Sequence, residues 1–248
     1  MRRATGRVAS RVQTFADRYP WLGPGVMNLS VVYFVVQAMV AAVWHPPYDW
    51  GRNTISDLGN SSCAVRGTTA PACAKEFSPL HDWMNAEFIF LGAVMLVGSL
   101  LIAQEFRILG PGAKRAWAWA GFALIGVGGV GSALVGWFPE NTVGAVHFFG
   151  AALAIGGGEL GISILGWKLS LPRYLQWAMR IGAPLAFLAG FLFAVQVHLG
   201  LGAGTMERIA QYPETVWLIV FGAYMSDNHY KRLRNPAFPH DPRPAPPA

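Results

Sequence analysis

Residues 83–103 read WMNAEFIFLGAVMLVGSLLIA, twenty-one residues with a single charge, Glu87. About 20 apolar residues in a helix span the ~30 Å hydrocarbon core of a bilayer, with every backbone N–H and C=O satisfied inside the segment. Apolar side chains fall on every face of this helix, as lipid contact or full burial requires. Five further windows read the same way: 25–44, 116–138, 143–166, 177–199 and 215–229. The last is the shortest, and Pro213 before it suits a first helical turn. The expectation is an all-α polytopic integral membrane protein with six transmembrane helices.

Composition agrees. Of 248 residues 53% are hydrophobic and 13% are charged, about half the charge of an average soluble domain. That argues against a disordered chain and against an ordinary water-soluble enzyme. The net charge of +6 comes with no basic, aromatic-interleaved surface segment, so nucleic acid is not an expected partner.

The basic residues instead report topology, since Lys and Arg gather on the cytoplasmic side. They cluster in the N-terminal arm, in the second and fourth connections and after the last helix; only Arg52, Arg66, Lys75 and Arg208 fall on the other side. Both termini are therefore expected in the cytoplasm, which fits an even number of spans. Residues 1–22 read as a basic arm, 23–230 as the six-helix domain, and 231–248 as a basic and then Pro-rich tail. The first apolar stretch lacks a small-residue cleavage site and reads as a retained helix.

The loop at about 45–80 then faces outward and holds both cysteines, Cys63 and Cys73. An oxidising compartment favours a disulfide between them, with two free thiols as the alternative. Two small-residue series, Gly128–Ser132–Gly136 and Gly150–Ala154–Gly158, predict close packing of the third helix on the fourth. Pro184 is expected to bend the fifth.

Ionisable groups in a membrane segment are costly and so are functional candidates. His45, His81, His147 and His198 all fall by topology at the outer face, with Asp49, Asp57, Asp82, Glu87, Glu140, Glu207 and Glu214 at the same level. His147 is the candidate general base because histidine titrates near neutrality. Asp57 would orient it, and Glu87 is a third catalytic candidate. Ser56, His81, Asn85, Glu140, Asn141 and His198 are candidate ligand-binding residues. Pairs Glu140–Arg208 and Glu87–His147 stay open, as does a purely structural use of all these groups. Histidines and carboxylates from separate helices suit Zn²⁺, but no H-E-x-x-H spacing supports a metal, and no cofactor is expected. Glu159 lies twelve residues from His147, about 18 Å along a helix, so those two do not share a site.

The segment Asn53-Thr-Ile-Ser-Asp-Leu-Gly-Asn60 is followed by Pro79-Leu-His81 and Asn85, then by Phe138-Pro-Glu-Asn141 and Val146-His-Phe-Phe-Gly-Ala151. Over about residues 25–230 this order resembles the bacterial six-helix membrane family catalogued as domain of unknown function 998. More remotely it is similar to the Frag/DRAM/Sfk membrane family, whose first outer loop carries an ISDTG-like element; Leu58 stands here in place of Thr. That second resemblance implies a lipid-related setting, since its members are implicated in lipid-anchor remodelling, lipid asymmetry and autophagy. The first implies a bacterial plasma membrane.

The leading expectation is a protein that binds or modifies a lipid or glycolipid at an outer polar cavity. A non-catalytic scaffold for a membrane-protein partner is the second reading. A small-solute or proton-coupled transporter, with Glu87 and Glu159 as relay groups, is the third.

Overall fold

The computed structural model of the chain describes residues 18–61, 78–103 and 113–234. Cys63 and Cys73, with the expected disulfide, lie outside the described residues, as do the arm up to residue 17 and the Pro-rich tail. The helices are α1 (Leu22–Asn28), α2 (Val31–Ala42), α3 (His81–Ala103), α4 (Ala113–Trp137), α5 (Gly144–Lys168), α6 (Arg173–Trp177), α7 (Ala183–Ala194) and α8 (Ala203–Arg234). Five segments are long and apolar enough to cross a membrane: Leu22–Ala42, His81–Ile102, Arg115–Trp137, Gly144–Lys168 and Arg173–Ala194.

The first of these combines α1 and α2. Tightened i→i+3 bonds such as Ser30 N–H to Met27 C=O at 3.1 Å carry the rod across the junction. The fifth combines α6 and α7 through a π-turn at Ala178–Gly182. Pro184 lies in the first turn of α7 and has no N–H to give the Arg180 carbonyl four residues back, where the wide turn sits.

Two windows differ from their expected bounds. The fifth ends at Ala194 rather than near 199, because the chain reverses over the next residues with left-handed backbone at Gln196, Leu199, Gly200 and Gly202. The last helix begins at Ala203 rather than near 215 and carries Pro213 in its interior. It is not one of the five apolar spans, because Glu207, Arg208 and Glu214 lie in its first half, all buried.

Small residues set the tightest contacts. A Cβ added at Gly131 would lie 2.5 Å from the Gly150 oxygen and the Ala154 nitrogen, so α4 and α5 meet backbone to backbone. The expected seam is only half right, however. Gly128 does face α5, but Gly136 packs on the Asn85 carbonyl of α3, and Ser132 donates to the Phe88 carbonyl of α3 at 2.7 Å. α4 is therefore clamped on two sides. The Gly158 backbone of α5 does lie against Gly128 of α4, while the Glu214 carboxylate of α8 fills the space where its Cβ would be.

Tryptophans mark two levels of the bundle. Trp21, Trp117, Trp167 and Trp177 are exposed at one end, and Trp50, Trp83 and Trp137 are exposed at the other. Such belts sit at membrane–water interfaces. At the first end Arg180 stacks over Trp167 with 4.3 Å to the ring centroid, and Lys168 lies 5.6 Å from Trp117.

Candidate functional site

The second end is closed by the first loop. Tyr48 donates to the Thr54 carbonyl at 2.6 Å. The Asp49 carboxylate accepts from the Gly51 and Arg52 N–H groups at 2.9 and 3.2 Å and from the Arg52 guanidinium at 2.8 Å. These donors hold Asp49 below its ordinary carboxylate range. Burial pushes the Tyr48 phenol up, against the pull of Arg208, so it stays a donor.

Arg208 ties this loop to α8. Its Nη1 donates to the carbonyls of Trp50, Asn53 and Gly204 at 2.9, 2.9 and 2.8 Å. Its other donors reach the Tyr48 and Tyr212 hydroxyls, and its plane lies over the Trp50 ring. All three nitrogens of the fixed fork are engaged. The Glu140–Arg208 pair considered from sequence does not form.

The element Thr54-Ile-Ser-Asp57 is a reciprocal cap. The Thr54 N–H donates to Asp57 Oδ2 at 2.7 Å, and the Asp57 N–H donates to Thr54 Oγ1 at 3.0 Å. This is the capping-box pattern with Asp in the acidic position, and it starts the short 3₁₀ turn Ser56–Gly59. Gly59 is not needed for a positive φ, which the described residues reserve for other positions. It is needed for room: Asn85 donates to its carbonyl at 2.9 Å, and a Cβ there would overlap the Asn85 amide.

The turn presents Ser56 to two groups from distant helices. Ser56 Oγ lies 3.0 Å from Glu207 Oε1 of α8 and 3.1 Å from His147 Nε2 of α5. Glu207 Oε2 accepts from the Ile55 N–H. His147 Nδ1 lies 2.9 Å from the Phe138 carbonyl. Both ring nitrogens of His147 are therefore occupied, so Asp57 does not orient it and the Glu87–His147 pair is absent. Asp57 is instead hydrogen-bonded to Glu140, which burial and the Asp57 charge push from 4.5 up to about 8. Glu140 thus carries its proton at neutral pH.

These groups line one end of a cavity of about 470 Å³ that runs between α5 and α7. Thr54, Ser56, Asp57, Glu140, His147 and Glu207 form its polar end. Ile155, Phe187, Phe191 and Phe193 line its apolar remainder, with Phe187 and Phe191 exposed on the flank of the bundle. Among the described residues no Lys or Arg lines it. A smaller void of about 30 Å³ continues inward past Ser56 and Glu207 to Tyr33 and Gln211, enough for a water molecule.

Of the sequence candidates, Ser56, Asp57, Glu140 and His147 meet here. Glu87 is buried on α3 away from the cavity, with Oε1 unpartnered. His81 lies 3.1 Å from Asp82, and Asn85 holds Gly59. Asn141 links to Ser61, whose N–H donates to it at 3.0 Å. His198 packs on Phe193. Among the described residues no three His, Cys, Asp or Glu side chains are placed to hold a metal ion. Sequence reasoning placed Glu207 only at the right level and did not see Thr54; the T-x-x-D spacing was the available signal for the latter.

Glu159 is separate, as expected. It is buried on α5 next to the Gly158–Glu214 contact, and neither of its oxygens has a partner. Toward the basic end the neighbouring packing is apolar, with Ile162, Leu165, Leu218 and Phe221 all buried.

A family model described as Protein of unknown function (DUF998) matches residues 29–224. No curated protein and no solved structure matches the chain.

Proposed function

The chain belongs to this DUF998 family, and from its cavity we propose that it binds a membrane lipid with a neutral, hydroxyl-bearing headgroup, such as a glycolipid or an acylglycerol. The observation that supports this is the two-ended cavity between α5 and α7. Its apolar length suits acyl chains, and its polar end suits a headgroup.

The donor set narrows the headgroup. Glu140 gives its proton to Asp57, and the remaining carboxyl lone pairs and the Thr54 and Ser56 hydroxyls stand beside that pair, a set that matches hydroxyl groups. A bare phosphate would face Asp57 and Glu207, and no described residue on the wall is a cation that would offset them. Arg208 spends its nitrogens on the carbonyls of Trp50, Asn53 and Gly204 and on the Tyr48 and Tyr212 hydroxyls.

In this reading α8 is the sixth span and both termini are cytoplasmic. The basic end with Arg115, Lys168, Arg173 and Arg180 faces the cytoplasm. The cavity then serves the outer leaflet of a bacterial plasma membrane.

The test is native mass spectrometry of the protein released from nanodiscs containing phosphatidylglycerol, diacylglycerol and a neutral glycolipid. The expected result is a one-to-one adduct with a neutral lipid. Ala152→Trp, at an exposed position on the cavity wall, should remove that adduct while the protein stays folded. An adduct that survives Ala152→Trp, or selection of phosphatidylglycerol, would overturn the proposal. The scaffold reading predicts no adduct at all.

A further inference from the structure

The contacts of His147 fix where its proton is. The Phe138 carbonyl 2.9 Å from Nδ1 can only accept, so the proton sits on Nδ1 and the lone pair on Nε2 faces Ser56 Oγ at 3.1 Å. A hydroxyl next to a base, with the base held by a third group, is the arrangement of an activated nucleophile. Both Ser56 and His147 open onto the lipid-sized cavity. Glu207 completes a row, Oε1···Oγ···Nε2. With two protons in that row every contact is satisfied, either as a neutral acid, hydroxyl and imidazole or as carboxylate, hydroxyl and imidazolium. The two forms differ only by a concerted shift along the row.

We propose that Ser56 is the nucleophile and His147 the general base of an O-acyl transfer on an ester-linked lipid held in this cavity. The inference rests on the lipid-binding reading above and gives that site its chemistry.

Each step balances. Ser56 Oγ forms a bond to the ester carbonyl carbon as its proton passes to His147 Nε2. The C–O bond to the lipid alcohol then breaks, and the imidazolium returns the proton to the departing oxygen. The acyl-serine is opened by water or by a second lipid hydroxyl, whose proton passes through Nε2 in the same way. No oxidant or reductant is involved. Negative charge on the carbonyl oxygen would be opposed by three ionised carboxylates, but Glu140 holds its proton at neutral pH in its hydrogen bond to Asp57, so that pair carries one charge and not two. The Ile55 N–H to Glu207 bond holds the turn that carries Ser56, so Glu207 is a positioning residue.

The experiment incubates the protein in nanodiscs with a fluorophosphonate probe, and separately with a diacylglycerol bearing one fluorescent acyl chain. Bound lipid is read in parallel by native mass spectrometry. The expected result is a probe adduct that peptide mapping places on Ser56, with fluorescent acyl released as free acid or moved to another alcohol. Ser56→Ala should abolish both, and His147→Ala should slow both by about 100-fold or more, the range for losing a general base. Added imidazole should restore part of the His147→Ala rate, which a purely structural histidine would not allow. Bound lipid with no Ser56 adduct and no acyl release would overturn this inference and leave the binding proposal standing. Absence of both lipid and adduct would overturn the two together.

Discussion

On one face of α8, Glu207 accepts from the Ile55 N–H and holds the Ser56 hydroxyl at 3.0 Å. Two turns further along, Glu214 is just as buried, yet its Oε1 accepts from nothing and its Oε2 has only Gln211 at 3.4 Å. Glu159 beside it has no partner for either oxygen. The same residue type thus lives in two regimes. At the loop end, backbone donors from the first loop reach each acid and fix its direction. In the middle of the bundle backbone N–H groups are spent within their own helices, so Glu214 is held there mainly by the shape of the space around it, and Gly158 makes that space. Acids that are aimed in this way are the ones available for directed chemistry.

The contrast can be broken first at Arg208, which joins loop to helix. Arg208→Ala removes charge-assisted bonds to three carbonyls and should cost on the order of 3–5 kcal/mol, read as a lowered melting temperature in detergent. An unchanged melt would mean the first loop is held by something else.

Next comes the shape-held pair. Gly158→Ala should destabilise by about 1–3 kcal/mol through overpacking against Glu214. Adding Glu214→Ala should recover most of that loss, which a double-mutant cycle measures as coupling. If the two losses simply add, Gly158 is not the cradle of Glu214.

At the loop end the effect is one of pH. Glu140 is raised in the folded protein, so its contribution is fully present below about 4.5 and is lost as pH rises through about 8. Melting temperature should fall from about pH 4.5 to about 8 and level off above that, lipid affinity should fall as pH rises through about 8, and Glu140→Gln should flatten both. A wild-type profile that stays level in this range would remove Glu140 as the donor.

The smallest effect should be Glu214→Gln, within about 0.5 kcal/mol, because it deletes no hydrogen bond of ordinary length. Glu207→Met should cost clearly more, since it leaves the Ile55 N–H and the Ser56 hydroxyl without their carboxyl partner. Equal losses would erase the distinction between the two regimes.

The five apolar spans were legible because lipid exposure demands long apolar runs, and 83–103 has one. The last helix was read too short for a related reason. A hydropathy window treats Glu207, Arg208 and Glu214 as if they faced lipid, whereas the first loop and α5 cover them. Ser56, Asp57, Glu140 and His147 were legible as polar groups at one level of the bundle. Their partners were not: Ser56 meets His147 across 91 residues and Glu207 across 151, separations that carry no local period. Glu87 was given a role because charge in a membrane segment is costly, but cost alone does not say which cavity a side chain faces. Gly59 shows the same gap at small scale, since a turn glycine reads as a matter of φ until the neighbour that crowds it is known.

The cavity is walled by α5 and α7, with Phe187 and Phe191 exposed on its flank, and so its mouth lies along the side of the bundle. A ligand using that mouth arrives by two-dimensional diffusion within one leaflet. Its effective concentration is a mole fraction of the bilayer, and molarity in the surrounding buffer has little meaning for it. Diluting vesicles of fixed composition should leave occupancy unchanged, whereas diluting the ligand into an inert host lipid should lower it in proportion.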